Sequence, residues 1–162
     1  MYSGWLNCLP HLNRKEHKFV GNEITWRYGL IWNKDLNTGN EKIDEQHKTL
    51  FNLVSDLIEA NEKGESKRKA SERLIFLAKY AVDHFLYEEK LMLETAYFGY
   101  GEHKKMHDDF KVTVNDLIDN YIANGTSDEL AQTIDEVVIS WLLSHIFRED
   151  KKIAVYIKEG EK

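Results

Sequence analysis

The stretch Glu41–Ser66 reads EKIDEQHKTLFNLVSDLIEANEKGES, and its periodicity decides the fold. Ile43, His47, Leu50, Phe51, Val54, Leu57 and Ile58 recur at spacings of three and four, which places them on one helical face. Thr38 to Glu41 supplies a capping box before it, and Asn61 to Ser66, with Gly64, supplies the stop. Three more stripes follow. Leu74, Leu77, Ala81, His84, Glu88 and Leu91 close near Thr95, and the segment Tyr97-Phe98-Gly99-Tyr100-Gly101 reads as a turn. His103, Met106, His107, Phe110, Val114, Leu117 and Tyr121 run to Asn124-Gly125. A capping box at Thr126 to Glu129 opens the last stripe, Leu130, Ile134, Val137, Trp141 and His145, and Ile153 to Ile157 either continues it or adds a short turn. Four helices joined by short loops predict an all-α, antiparallel up-down-up-down four-helix bundle.

Outward from these stripes the chain changes character. Residues 1–27 hold Pro10, Cys8, His11, His17 and a basic cluster at Arg14, Lys15 and Lys18, with neither helical nor strand periodicity. They read as an irregular N-terminal arm of unknown role, ordered by packing of Trp5 or Trp26, ahead of a bundle over residues 28–158. Leu30 to Asn40 is also irregular, with turn chemistry at Asn37-Thr38-Gly39-Asn40.

Composition narrows the class. The 162 residues suit one domain with one core. With 42% hydrophobic and 31% charged residues, disorder over most of the length is excluded. A net charge of −6 argues against a nucleic-acid partner, which requires a concentrated basic face. No apolar run reaches the roughly 18–20 residues that cross a bilayer, so no membrane partner is expected. The single cysteine excludes an internal disulfide and a thiolate zinc cluster, and its chemistry suits the cytoplasm. The N-terminus lacks the pattern of a secretory signal.

What interrupts the apolar faces carries the chemistry. His47, His84, His103, His107 and His145 all fall on the stripes, and Glu88 lies one turn after His84. A lone inward histidine is ordinarily a hydrogen-bonded core residue. An HxxxH spacing is common on helices, and His84 with Glu88 alone could be a surface pair. Here all the stripes face one axis, and buried imidazoles and a buried carboxylate without partners would be costly. A cation between the helices compensates directly. Five imidazoles, Glu88 and a further carboxylate at Asp150 exceed a four-coordinate zinc site. Without thiolates, blue copper and iron–sulfur are excluded. The donors suit a pair of octahedral first-row ions, iron before manganese. The two Glu-x-x-His motifs of ferritin-like carboxylate proteins are absent.

These residues resemble those of the hemerythrin family, in particular its bacterial single-domain members. The carrying strings are Asp44-Glu-Gln-His47, His84-Phe-Leu-Tyr-Glu88-Glu-Lys-Leu-Met92, His103-Lys-Lys-Met-His107-Asp-Asp-Phe110 and Trp141-Leu-Leu-Ser-His145-Ile-Phe-Arg-Glu-Asp150. The likeness covers about residues 30–157, including the lead-in Leu30-Ile-Trp-Asn, and leaves residues 1–27 unmatched. It implies a non-haem di-iron centre, oxo- or hydroxo-bridged, whose ligand is dioxygen. His103, His107 and His145 would bind one iron, His47 and His84 the other, with Glu88 and Asp150 bridging. The second iron would keep an open position for O2, lined at Leu50, Phe85, Phe110, Trp141, Leu142 and Ile146. One geometric tension follows. Five residues at about 100° each set His145 and Asp150 about 140° apart on an ideal helix. Either a π-type turn widens the helix there, or Asp150 reaches in obliquely.

Three functions are compatible with this reading. The leading one is reversible O2 binding for storage or delivery, not catalysis. An oxidoreductase acting on O2 or peroxide would need a proton donor beside the open metal, and the expected lining is apolar. An O2-sensing or signalling module would use residues 1–27, with Trp5 and Trp26 as contacts for an unidentified protein partner.

Overall fold

A computed structural model describes residues 36–63, 67–124 and 140–160, together with Trp32, Thr133, Val137 and Val138. The N-terminal arm, the capping box at Thr126 to Glu129, and Leu130 and Ile134 lie outside the described residues, as do the side chains of Ile58 and Leu143. The helices are α1 (Glu41–Glu62), α2 (Lys67–Glu94), α3 (Tyr100–Asn124), α4 (Ser140–His145) and α5 (Lys151–Gly160). A π-turn, Ile146–Asp150, joins α4 to α5 and makes them one helical arm. Among the described residues there is no strand. The fold is an all-α four-helix bundle.

The ends of the helices show how local chemistry sets their positions. The expected capping box at Thr38 to Glu41 does not form. Asn40 is the N-cap instead, its Oδ1 accepting from the amides of Lys42 and Ile43 at 3.1 Å each. Asp44 reaches back to the amide and hydroxyl of Thr38, at 2.7 and 2.8 Å, and folds the preceding turn onto α1. The turn between α2 and α3 comes earlier than the sequence predicts, because α3 already begins at Tyr100. Here α2 closes with the Tyr97 amide donating to the Met92 carbonyl at 2.8 Å and the Ala96 amide to Leu93 at 3.2 Å. This is a Schellman motif, and Ala96 holds the left-handed position at φ 52° that glycine usually takes.

The core has two apolar layers. The larger joins Leu50, Phe51, Val54 and Leu57 of α1 to Leu74, Leu77, Ala81 and Phe85 of α2. Phe110, Val114, Leu117 and Tyr121 of α3, with Val138, Leu142 and Ile146 of the last arm, complete it. The smaller layer packs Met92, Tyr97 and Ile153, with Leu91, Tyr100, Tyr156 and Ile157 partly buried against it. Two stripes keep the expected phase over most of their described length and shift by one residue locally, the second at its end and the last at Val137 and Trp141. Met92 is fully buried where Leu91 was expected, and Val138 and Leu142 are buried while Val137 and Trp141 are half-buried. Along α2 and α3, His84, Glu88, His103 and His107 occupy the level between the two layers.

Candidate metal centre

Each helix delivers its polar residues to that level for a local reason. On α1 and α3, the one-turn spacings set His47 beneath Ile43, and His103 beneath His107. On α2, His84 and Glu88 are likewise one turn apart. The last arm needs a different device, since His145 and Asp150 are five residues apart. The π-turn Ile146–Asp150 absorbs the additional residue, so His145 and Asp150 both point inward at 3% and 0% exposure. The first of the two geometries open to the sequence is the one adopted.

The seven polar residues meet. His47, His84, Glu88, His107 and Asp150 are fully buried, and His103 and His145 nearly so. Asp150 Oδ2 lies 3.0 Å from His47 Nε2, and its Oδ1 lies 3.1 Å from His145 Nε2 and 3.4 Å from His103 Nε2. Glu88 Oε2 lies 3.3, 3.5 and 3.7 Å from the Nε2 atoms of His107, His103 and His84. Two groups emerge, each with ligand atoms within 4.8 Å of one another. One contains Glu88, His103, His107, His145 and Asp150; the other contains His47, His84, Glu88 and Asp150. The two carboxylates are common to both.

The site's electrostatics are those of a place built for positive charge. Among the described residues, both oxygens of Glu88 and of Asp150, both nitrogens of His47, Nε2 of His84, and Nδ1 of His103 and His145 make no hydrogen bond of good geometry. His145 Nε2 also sits 3.0 Å from His107 Nε2 and 3.1 Å from His103 Nε2, three ring nitrogens converging on one point. Burial, reinforced by neighbouring imidazoles, pushes His84 down to about 3. Burial also takes His103 down to about 4 and His107 well below its ordinary value. Neutral imidazoles present lone pairs, as a metal requires. Burial, then the Asp150 and Glu89 carboxylates, raises Glu88 well above the ordinary range. Burial also works against ionisation of Asp150, but the nearby His145 and His47 rings hold it well below that range. Orphaned buried carboxylate oxygens cost several kcal/mol each, and a cation shared by both removes the cost. The nitrogen and oxygen donors fit first-row ions such as iron.

Aromatic rings wall the site. Phe85 stacks on His107 with centroids 4.0 Å apart, and Trp141 stacks on His145 at 4.2 Å and on Phe110 at 4.0 Å. Leu50, Phe85, Phe110, Leu142 and Ile146, all expected at the pocket, are buried, while Trp141 is half-buried. Trp32 of the lead-in lies 6.0 Å from the His47 ring and meets Phe51 edge-on. The sequence reading missed two residues that touch ring nitrogens facing away from the cluster. Gln46 Oε1 lies 3.2 Å from His84 Nδ1, and Glu89 Oε1 lies 3.3 Å from His107 Nδ1. Their only signal was adjacency to His47 and Glu88.

Among the described residues no helix is long and apolar enough to cross a membrane. The model of the Hemerythrin HHE cation binding domain matches residues 38–157. A bacteriohemerythrin of Pseudomonas aeruginosa is 31% identical over 121 residues, spanning 75% of this chain and 76% of its own. The myohemerythrin of Theromyzon tessulatum is 31% identical over 121 residues, spanning 75% of this chain and 88% of its own. The crystal structure of a wild-type hemerythrin aligns with a TM-score of 0.70 at 27% identity, over 78% of this chain and 96% of that one. The match covers every residue of the polar cluster, and the chain belongs to the hemerythrin family.

Proposed function

We propose that the chain holds two iron ions and binds dioxygen reversibly, as a cytoplasmic carrier or store and not as an enzyme. The observation that carries this reading is the pair of donor groups sharing Glu88 and Asp150. His103, His107 and His145 would hold one ion, His47 and His84 the other, and the two carboxylates would bridge them. The second ion then has fewer protein donors, which leaves it room for an exogenous ligand. Bound iron supplies the electrons that O2 takes up and returns. The chain's own residues do the rest. Phe85 and Trp141 cover the ring faces of His107 and His145, Phe110 backs Trp141, and Leu50, Leu142 and Ile146 add apolar bulk in the same core layer. None of these side chains carries an acidic proton; the Trp141 indole N–H is too weak an acid to serve. Water and protons are thereby kept from the bound gas, which favours release of O2 unchanged. On this reading the chain keeps the division its sequence suggests, an N-terminal extension of unknown role over residues 1–27 and a hemerythrin-like domain over residues 28–158. The test is optical: the iron-loaded, reduced protein is exposed to O2 and then degassed. Return of the reduced spectrum is expected. Steady O2 consumption with a reductant at enzymatic turnover rates would replace the reading with an oxidoreductase.

A further inference from the structure

Two of the five clustered histidines are held from behind, and the two holders differ in charge. His107 Nδ1 faces Glu89 Oε1 at 3.3 Å, and His84 Nδ1 faces Gln46 Oε1 at 3.2 Å. In both pairs the ring N–H donates to an oxygen acceptor, so the opposite nitrogen, Nε2, is left with its lone pair toward the cluster. Among the described residues, the Nδ1 atoms of His47, His103 and His145 have no hydrogen-bond partner. Each donor group thus contains one anchored histidine: His107 in the group with His103 and His145, and His84 in the group with His47. Both anchors cross a helix interface, Gln46 from α1 to α2 and Glu89 from α2 to α3. Glu89 is nearly buried, at 8% exposure, and Lys104 Nζ stands 4.0 Å from its other oxygen. Lys104 is itself engaged at 2.6 Å by Asp108, so Glu89 keeps most of its charge for His107.

A carboxylate behind a ligating imidazole raises its basicity and fixes its orientation more strongly than a neutral amide does. We propose that Glu89 and Gln46 are positioning residues that widen the inequality between the two metal positions beyond what their three and two histidines set. The position at His103, His107 and His145 is the tighter and fills first; the position at His47 and His84 is the weaker and fills second. This rests on the two-metal reading above and adds to it an order of loading.

The test is anaerobic titration of the metal-free protein with ferrous iron, read as bound metal per chain and as the rate of removal by a chelator. The wild-type chain is expected to fill in two resolved steps. Glu89→Gln keeps the shape and a hydrogen-bond acceptor but removes the charge. It is expected to weaken the first step about 10- to 100-fold, narrowing the gap between the two. Gln46→Glu is expected to tighten the second step and narrow the gap from the other side. Asp109→Asn removes the same unit of charge from the exposed face of α3, where Asp109 pairs with Lys105 and not with Lys104, Glu89 or a histidine, and two steps are expected to persist. Circular dichroism at each stage establishes that the variants are folded. Two unchanged steps in both folded Glu89→Gln and folded Gln46→Glu would overturn the inference, as would an Asp109→Asn effect as large as that of Glu89→Gln. A wild-type chain that takes up one ion or none would overturn the two-metal reading itself, a different result from either.

Discussion

Glu88 and Asp150 are fully buried, and among the described residues none of their four carboxylate oxygens makes a hydrogen bond of good geometry. Residues this costly belong to a binding site, and their types and spacing made them visible in the sequence. Gln46 and Glu89 were not visible, because each sits beside a cluster residue in sequence and acts across a helix interface. Single-helix periodicity gives no information about which neighbour such a residue will meet. Leu142 illustrates the opposite role, an apolar side chain buried to 3% in the layer that adjoins the cluster. Replacing it with an acid would add a proton source to the dry side of the site, with its pKa raised by burial. Leu142→Glu is expected to speed oxidation of the oxygenated protein by about a hundredfold, the usual scale of a positioned general acid. The rate at which the oxygenated spectrum decays in air measures this; an unchanged rate in a folded, iron-loaded variant would remove the apolar wall from the account.

At the scale of elements, the helical stripes were legible because three- and four-residue spacing is a strong signal over twenty residues. Their ends were less so. Thr38 and Glu41 fit a capping box on paper, but Asn40 lies next to the first helical residue and takes both orphan amides itself, which frees Asp44 for the turn. The α2–α3 corner was placed late because its left-handed residue is Ala96, and an alanine carries no turn signal. The π-turn was one of two geometries that arithmetic left open, since a five-residue spacing cannot bring His145 and Asp150 to one face of a regular helix. Ala96 offers a direct test. A left-handed non-glycine residue costs roughly 1–2 kcal/mol, and glycine's greater freedom in the unfolded chain returns part of that. Ala96→Gly is expected to raise stability by about 0.5–1 kcal/mol in urea unfolding; a loss of stability would mean that the Schellman corner is not formed as described.

Taken as a whole, the molecule places a polar level between two apolar layers, and its stability should therefore depend on pH. In the metal-free chain, burial lowers His84 to about 3 and His103 to about 4, with His107 lowered further, against an ordinary 6.5. As pH falls below 6.5 the unfolded chain binds protons at these three positions that the folded chain refuses, so stability falls. Glu88 acts in the other direction, because its raised value keeps a proton on the folded side that the unfolded chain releases above about 4.5. Three histidines outweigh one glutamate, and each histidine not offset costs about 1.4 kcal/mol per pH unit. The urea midpoint of the metal-free protein is expected to fall from pH 7 to pH 5.5, and a midpoint that rises would contradict the burial of these imidazoles.

All of this depends on one claim, that Glu88 and Asp150 serve two metal ions at once. Quantifying iron per chain in protein reconstituted anaerobically and freed of loosely bound metal tests it most directly. Two irons per chain in the wild type are expected, and a single ion per chain, whether iron or zinc, would contradict it.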